Sequence, residues 1–351
     1  MTIAISRVIS RVISRRGAAL GIGASMLPAI AAANIASLAA AAREEGELTW
    51  YVAQMDTETA ERFGRVFSET YPGIRVAVTR VTGQVALQRL MLDIKNQTPH
   101  CDVFSTTDIS HMPGLKARGE LSHYQPLNFA NMKPRFQALS DRGWYHATNA
   151  GRWILVSNTN KVKPEAAPKN WTDLTDPKWK GQLGLAHPGF SGGGGIWALA
   201  MKNLYGWRFF EDLAKNNPRV SRSTIDTVTL IGGGECLIGP TFSLNAYRAI
   251  DNAHPIAIAV PSDGVVGMVF PSAIPAHAPH PNAARLFMEW SLSEAFSNML
   301  AAGGGDPIHA AVTPRAGETR TEGQKVLAPT VEEIRAGVPE VIERWRDIFG
   351  G

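Results

Sequence analysis

The chain has 351 residues, of which 44% are apolar and 19% charged, with a formal charge of +4. That length is enough for two domains with cores of their own. The excess charge sits in residues 1–42, which carry Arg7, Arg11, Arg15 and Arg16 and no acidic residue, leaving 31 basic and 31 acidic side chains in the rest. A neutral body has no electrostatic footprint for nucleic acid.

Residues 1–33 read as an export signal. A basic start leads into the uncharged run Gly17–Ala33, which ends in small-residue cleavage options such as Ala31-Ala32-Ala33. Ser14-Arg15-Arg16 suggests the twin-arginine route, although Ala18 and Ala19 stand where larger apolar residues are usual. An ordinary secretory signal is the alternative. No cysteine lies near the cleavage region, which argues against a lipid anchor, and the run is too short and alanine-rich for a membrane span. The expected mature protein is periplasmic. Its two cysteines, Cys101 and Cys236, are expected to be free, buried thiols.

After a short helix over 35–45, Glu47–Ala53 reads as a buried strand. Ala60, Phe63, Val66 and Phe67 recur at helical spacing over 57–70, with Asp56 as N-cap and Pro72-Gly73 as stop. Ile74–Val78 is a strand, Gln84–Asn96 a helix and Cys101–Phe104 a strand. Alternating strands and helices of these lengths predict a mostly parallel sheet covered by helices. The middle section repeats the pattern. Trp153–Ser157 is a strand, and Pro164, Pro168 and Pro177 punctuate a long loop. Residues 182–186 form a strand, and helices follow over Gly193–Leu204 and Trp207–Lys215. Cys236–Gly239 and Ile256–Val260 are strands, with a helix starting near Phe242 between them. A strand over Gly267–Ile274, one helix over Pro281–Ala301 and a terminal helix over Thr330–Phe349 complete the chain. Ile334, Val338, Val341, Ile342 and Trp345 form the stripe of the terminal helix.

Four segments fall at strand ends or helix starts: Ala53–Asp56, Thr82–Gln84, Ser105–Asp108 and Ser191–Gly194. Hydroxyls and unpaired N–H groups there can receive a small anion without a basic surface. The candidate contacts are Gln54, Thr82, Gly83, Thr106, Thr107, Ser191, Gly192 and Gly193, with Arg152 as a planar cationic fork. The alternative is that these hydroxyls only cap their helices. The glycine run is not a nucleotide-binding P-loop, because Ile196 and Trp197 follow it in place of a Lys-Ser/Thr pair. His277, His280 and His309 lack metal-ligand spacing and are expected in exposed loops. No Gly-x-Ser-x-Gly, His-Glu-x-x-His or Cys-x-x-Cys signature is present, so no enzyme and no cofactor are expected.

Several landmarks, in order, carry a family likeness: Leu48-Thr-Trp-Tyr-Val, Asp102–Asp108, Gly114–Leu121, Ser157–Asn160, Trp171-Thr-Asp-Leu-Thr-Asp-Pro-Lys-Trp-Lys-Gly181, Ser262–Gly267, Ala278–Phe287 and Gly303–Pro307. Their order and spacing over 46–310 resemble the bacterial extracellular solute-binding proteins of ABC importers, in the ferric-iron-binding-like group. The resemblance implies an α/β, two-lobed type II periplasmic-binding-protein fold, each lobe a mostly parallel sheet flanked by helices, joined by a two-strand hinge. Carried over, lobe one is 34–150 plus 262–351 and lobe two is 151–261, with breaks at Ala150-Gly151-Arg152 and Pro261–Gly264. It also implies a monomer that binds a small molecule and docks on an ABC permease. The family's iron-binding tyrosine pair falls at Ser243–Arg248, where Tyr247 is kept but its neighbour is Ala246, and the first-strand loop offers Gln54 and Met55 in place of histidine. A small organic or phosphorus-containing anion, hydrogen-bonded by Tyr247, is therefore expected, with no metal ligands assigned. Ferric iron or an iron chelate is the alternative ligand, and a periplasmic sensor the alternative role.

Overall fold

The computed structural model describes residues 33–316 and 324–350, so the expected signal at 1–33 falls almost wholly outside the described residues. Helix α1 (33–45) stops at Gly46, whose φ of +75° suits glycine. β1 (Glu47–Val52) follows, buried along most of its length. Asp56 caps α2 (Thr57–Thr70), accepting from the backbone N–H of Thr59 at 2.9 Å. β2 (Arg75–Arg80), α3 (Gly83–Asn96) and β3 (Val103–Ser105) complete a parallel β2-β1-β3 unit. α4 (His111–Ala117) and α5 (Pro134–Gln137) lead into β4 (His146–Asn158).

β4 has 13 residues, all buried. Its first part pairs antiparallel with β9 (Val265–Ala273), from His146–Ser272 to Trp153–Val266. Its second part pairs with β7 (Ile238–Phe242) and β8 (Ile256–Ala259). One mixed sheet in the order β2-β1-β3-β9-β4-β7 therefore runs from one lobe to the other, with β10 (Val326–Leu327) added beside β9. The second lobe adds β5 (Gly184–Ala186) and β6 (Arg219–Ser221) as a parallel pair, α6 (Gly192–Tyr205), α7 (Trp207–Lys215), α8 (Thr224–Gly232) and α9 (Ser243–Asp251).

Two aromatic cores hold the lobes. Phe63 and Phe67 of α2 pack on Trp290 and Phe296, with ring centroids 4.8–6.2 Å apart. Trp290 lies on α10 (Pro281–Ser291) and Phe296 on α11 (Glu294–Ala302). In the second lobe Trp197 stacks on Trp153 at 5.6 Å and meets Trp171, Phe209 and Phe210 edge-on. Cys101 and Cys236 are free and buried, and burial pushes both thiols up, which makes them unreactive.

Four expectations need correction. Gly151 does not break the chain; it lies inside β4, where an added Cβ would stand 2.6 Å from the ring of Phe242. The single helix over Pro281–Ala301 is two helices, because Ser293 turns the chain and caps α11. The terminal helix α12 (Val331–Phe349), assigned to lobe one from sequence, packs on α6 and α7: Gly337 abuts Leu199, Lys202 pairs with Glu340 at 3.0 Å, and Trp345 meets Phe210. Of the three histidines expected in exposed loops, only His277 is exposed; His280 hydrogen-bonds Asp102 at 2.9 Å and His309 is buried.

One buried histidine makes stability depend on pH. His146 sits under Phe129, its Nε2 3.3 Å from the carbonyl of Tyr124 and its Nδ1 without a partner. Burial lowers its pKa to about 4. The unfolded chain gains this proton below about pH 6.5 and the folded chain only near its own lowered value, so stability falls as pH drops through that window, by on the order of 3 kcal/mol. Thermal melts between pH 7 and 4.5 should show this fall, and it should be shallower in His146→Gln. Equal pH slopes would show that His146 is not its source.

Candidate functional site

The lobes meet at a small cavity of about 40 Å³, room for a few waters. The first lobe contributes the ends of its parallel strands. Ala53 and Gln54 follow β1, Arg80 ends β2, Thr82 and Gly83 open α3, and Thr107 follows β3. The second lobe contributes helix starts: Ser191 and Gly193 at α6, Ser223, Thr224 and Ile225 at α8, and Asn245 in the first turn of α9. Trp153 of β4, Phe242 of β7, and Met268 and Phe270 of β9 form an apolar floor, each less than a tenth exposed.

Three helices of nine or more residues thus point their N-termini at one space. Each N-terminus carries unpaired N–H groups and about half a positive charge. Ser191 and Ser223 satisfy one donor each, accepting from Gly194 N and Asp226 N. Thr82 does not cap α3; its Oγ1 is buried without a partner. Gln54, only 5% exposed, accepts from Ala53 N through Oε1 at 3.3 Å but leaves Nε2 unpartnered. An unmet buried polar group costs about 1–3 kcal/mol, and here two of them line one cavity.

Arg80 brings the full positive charge. Its Nε donates to the carbonyl of Met55 at 3.1 Å. Burial lowers its pKa, opposed by the negative charges of Asp226 and Asp56, and a guanidinium remains charged regardless. Among the described residues the lining holds no aspartate, glutamate, histidine, cysteine or tyrosine.

Glycine permits the lobes to approach. A Cβ on Gly192 would lie 2.9 Å from both Asp108 Cβ and Thr107 Oγ1 across the interface. A Cβ on Gly83 would stand 2.6 Å from Thr107 Oγ1. On one flank Arg248 of α9 reaches Asp56 and Glu58 at the start of α2, at 3.2 and 3.0 Å.

Residues 99–336 match the model of a bacterial extracellular solute-binding protein family. The chain belongs to that family. A putative 2-aminoethylphosphonate-binding periplasmic protein of Salmonella typhimurium is 22% identical over 329 residues, covering 87% of this chain and 89% of the relative. The periplasmic binding protein AfuA of Actinobacillus pleuropneumoniae, solved with exogenous fructose-6-phosphate, superposes with a TM-score of 0.77 at 21% identity, over 87% of this chain and 98% of its own. Iron-bound HitA of Pseudomonas aeruginosa superposes with a TM-score of 0.72 at 19% identity, over 86% and 99%. These likenesses establish the two-lobed type II periplasmic-binding fold. No helix among the described residues is long and apolar enough to cross a membrane.

Of the sequence-derived contacts, Gln54, Thr82, Gly83, Thr107, Ser191 and Gly193 line the cavity. Gly192 is at the lobe interface beside it. Thr106 is fully buried, with Oγ1 between His111 Nδ1 at 3.0 Å and Asp108 N at 3.2 Å. Arg152 is 3% exposed and paired with Asp306, so its fork is already engaged. Tyr247 points away from the cavity. Its ring fills the space over Gly304, and the Arg315 guanidinium lies 5.0 Å from it.

Sequence reasoning missed Arg80, Ser223, Thr224 and Asn245. Arg80 ends the strand next to β1, opposite Val52, two residues before Gln54. The α8 start had a readable signal, Ser223 with Asp226 three residues on.

Replacing Gly192 with Ala forces a carbon–carbon contact of 2.9 Å at the closed interface. Overpacking of this kind costs about 1–3 kcal/mol, enough to shift the closed-to-open ratio by about tenfold. Small-angle X-ray scattering should find the variant more expanded than the parent. An unchanged radius of gyration would show that this contact does not control closure.

Proposed function

We propose that this protein is the periplasmic substrate-binding component of an ABC importer, working as a monomer. It captures a small organic or phosphorus-containing anion between its lobes and presents the closed form to a permease. In this reading 34–150 and 262–316 move as one lobe and 151–261, with α12, as the other, bending where β4 and β9 cross. Relatives named for a phosphonate and solved with a sugar phosphate support the ligand class.

The observation that carries the reading is a set of donors in a cavity whose lining, among the described residues, holds no carboxylate. Arg80, Gln54 Nε2, the Thr82 hydroxyl and the N-termini of α3, α6 and α8 all border the same space. A bare ferric ion wants several anionic oxygens, and this lining supplies none, which weighs against iron despite the iron-bound neighbour.

Calorimetric titration of the mature chain with phosphate, phosphate esters, phosphonates and small carboxylates should identify at least one binder. Arg80→Gln should weaken that binder at least tenfold, as expected for one charged hydrogen bond. Tyr247→Phe should leave affinity unchanged. The reading fails if every anion is silent, or if Arg80→Gln binds as tightly as the parent.

A further inference from the structure

We propose that the cavity selects an oxyanion whose remaining atoms are uncharged, and rejects zwitterions that carry an ammonium group close to the oxyanion. The inference rests on the anion-binding reading above and sharpens it to a substrate class.

The argument is one of charge balance in a closed space. Arg80 contributes one positive charge and three helix N-termini add about half a charge each. No lining residue among those described is negative. An oxyanion meets this potential; an ammonium held two carbons away meets the same potential with the wrong sign. The rest of the cavity gives a cation nothing either. Trp153, Phe242, Met268 and Phe270 are apolar and nearly fully buried. Asn245, whose Nδ2 donates to Thr224 Oγ1 at 2.8 Å, is polar but neutral. A buried charge without a counter-ion is costly, and a site that leaves it unpaired discriminates against it.

The neighbouring carboxylates do not repair this. Asp56 is held by Thr59 and Arg248, at 2.6–3.2 Å. Asp108, next to Thr107, turns to Ser110 at 2.6 and 2.9 Å and to His111. Asp226 stands exposed on the first turn of α8, outside the lining; like Asp56 it acts on the Arg80 guanidinium through space, but water screens an exposed carboxylate.

Matched pairs of probes test the proposal by calorimetry at neutral pH: ethylphosphonate against 2-aminoethylphosphonate, ethyl phosphate against phosphoethanolamine, and propionate against β-alanine. In every pair that binds, the ammonium-free member should be at least tenfold tighter. Asn245→Asp places a carboxylate in the lining beside Thr224 and should move the ratio at least tenfold toward the ammonium member. An ammonium member that binds as tightly as its partner overturns the inference and leaves the anion-binding reading standing. If that tight binding is lost in Asp226→Asn, the counter-ion is Asp226 and the inference is again overturned. Silence in all three pairs overturns this inference; the anion-binding reading falls with it only if phosphate and the other anions of the titration above are silent too.

Discussion

The cleft depends on the antiparallel pairing of β4 with β9. These two strands are the passage of the sheet from the β2-β1-β3 unit to β7, β8 and the helices beyond. Their ladder runs from His146–Ser272 to Trp153–Val266, so the backbone bonds that join the lobes also fix where the cavity floor lies. Trp153 ends that ladder and Met268 and Phe270 face it from the other strand, and all three line the cavity. A bend about this pair would move the walls and leave the floor in place, which is the geometry hinge closure requires.

The walls show how a nearly neutral protein can present a positive site. The excess basic charge of the sequence lies in the first 42 residues, and the body needs none of it. Parallel strands end on one side of a sheet, and the helices that follow start there. α3, α6 and α8 therefore deliver oriented N–H groups to one place, and Arg80 adds a single full charge. Potential focused in a cleft does not require net charge on the surface. Gly83 and Gly192 complete the arrangement by letting Thr107 sit against two helix starts.

Much of this architecture was legible in the residues. The alternation of strands with the 14-residue amphipathic helices α2 and α3 pointed to the sheet, and Thr82-Gly83 and Ser191-Gly192 at helix starts marked two of the cavity's edges. What was not legible is long-range pairing of charge. Arg152 and Asp306 are 154 residues apart, and only the fold shows that each neutralises the other. The same holds for Arg80, a cation among many in sequence, which becomes distinct because its strand aligns with β1. Tyr247 was chosen from a family pattern whose second tyrosine is Ala246 here; with that partner gone, its ring serves as packing over Gly304. α12 escaped for a related reason. Its stripe declared a buried face but could not say which lobe would bury it, and the glycines at 195 and 337 that admit it carry no sequence signal of a contact.

The energetics of closure follow from the same contacts. The ion pairs of Arg248 with Glu58 and Asp56 cross between the lobes; Glu58 is 81% exposed and Arg248 a third exposed, and such pairs contribute about 1 kcal/mol or less each. Moving a two-state equilibrium from mostly open to mostly closed takes about 5.5 kcal/mol of differential affinity. Ligand contacts must therefore carry most of it. Gln54 Nε2 and Thr82 Oγ1 are each relieved of a penalty of about 1–3 kcal/mol when met by an acceptor, and a hydrogen bond to Arg80 is worth about 1.5–3 kcal/mol. These three residues belong to the first lobe, while Ser191, Ser223 and Asn245 belong to the second. An anion that bridges the two sets can supply the difference, whereas one that reaches only the first set would be bound without closing the protein. In the proposed function, closure and selectivity would come from the same few donors, because only a ligand that touches both walls at once meets both sets.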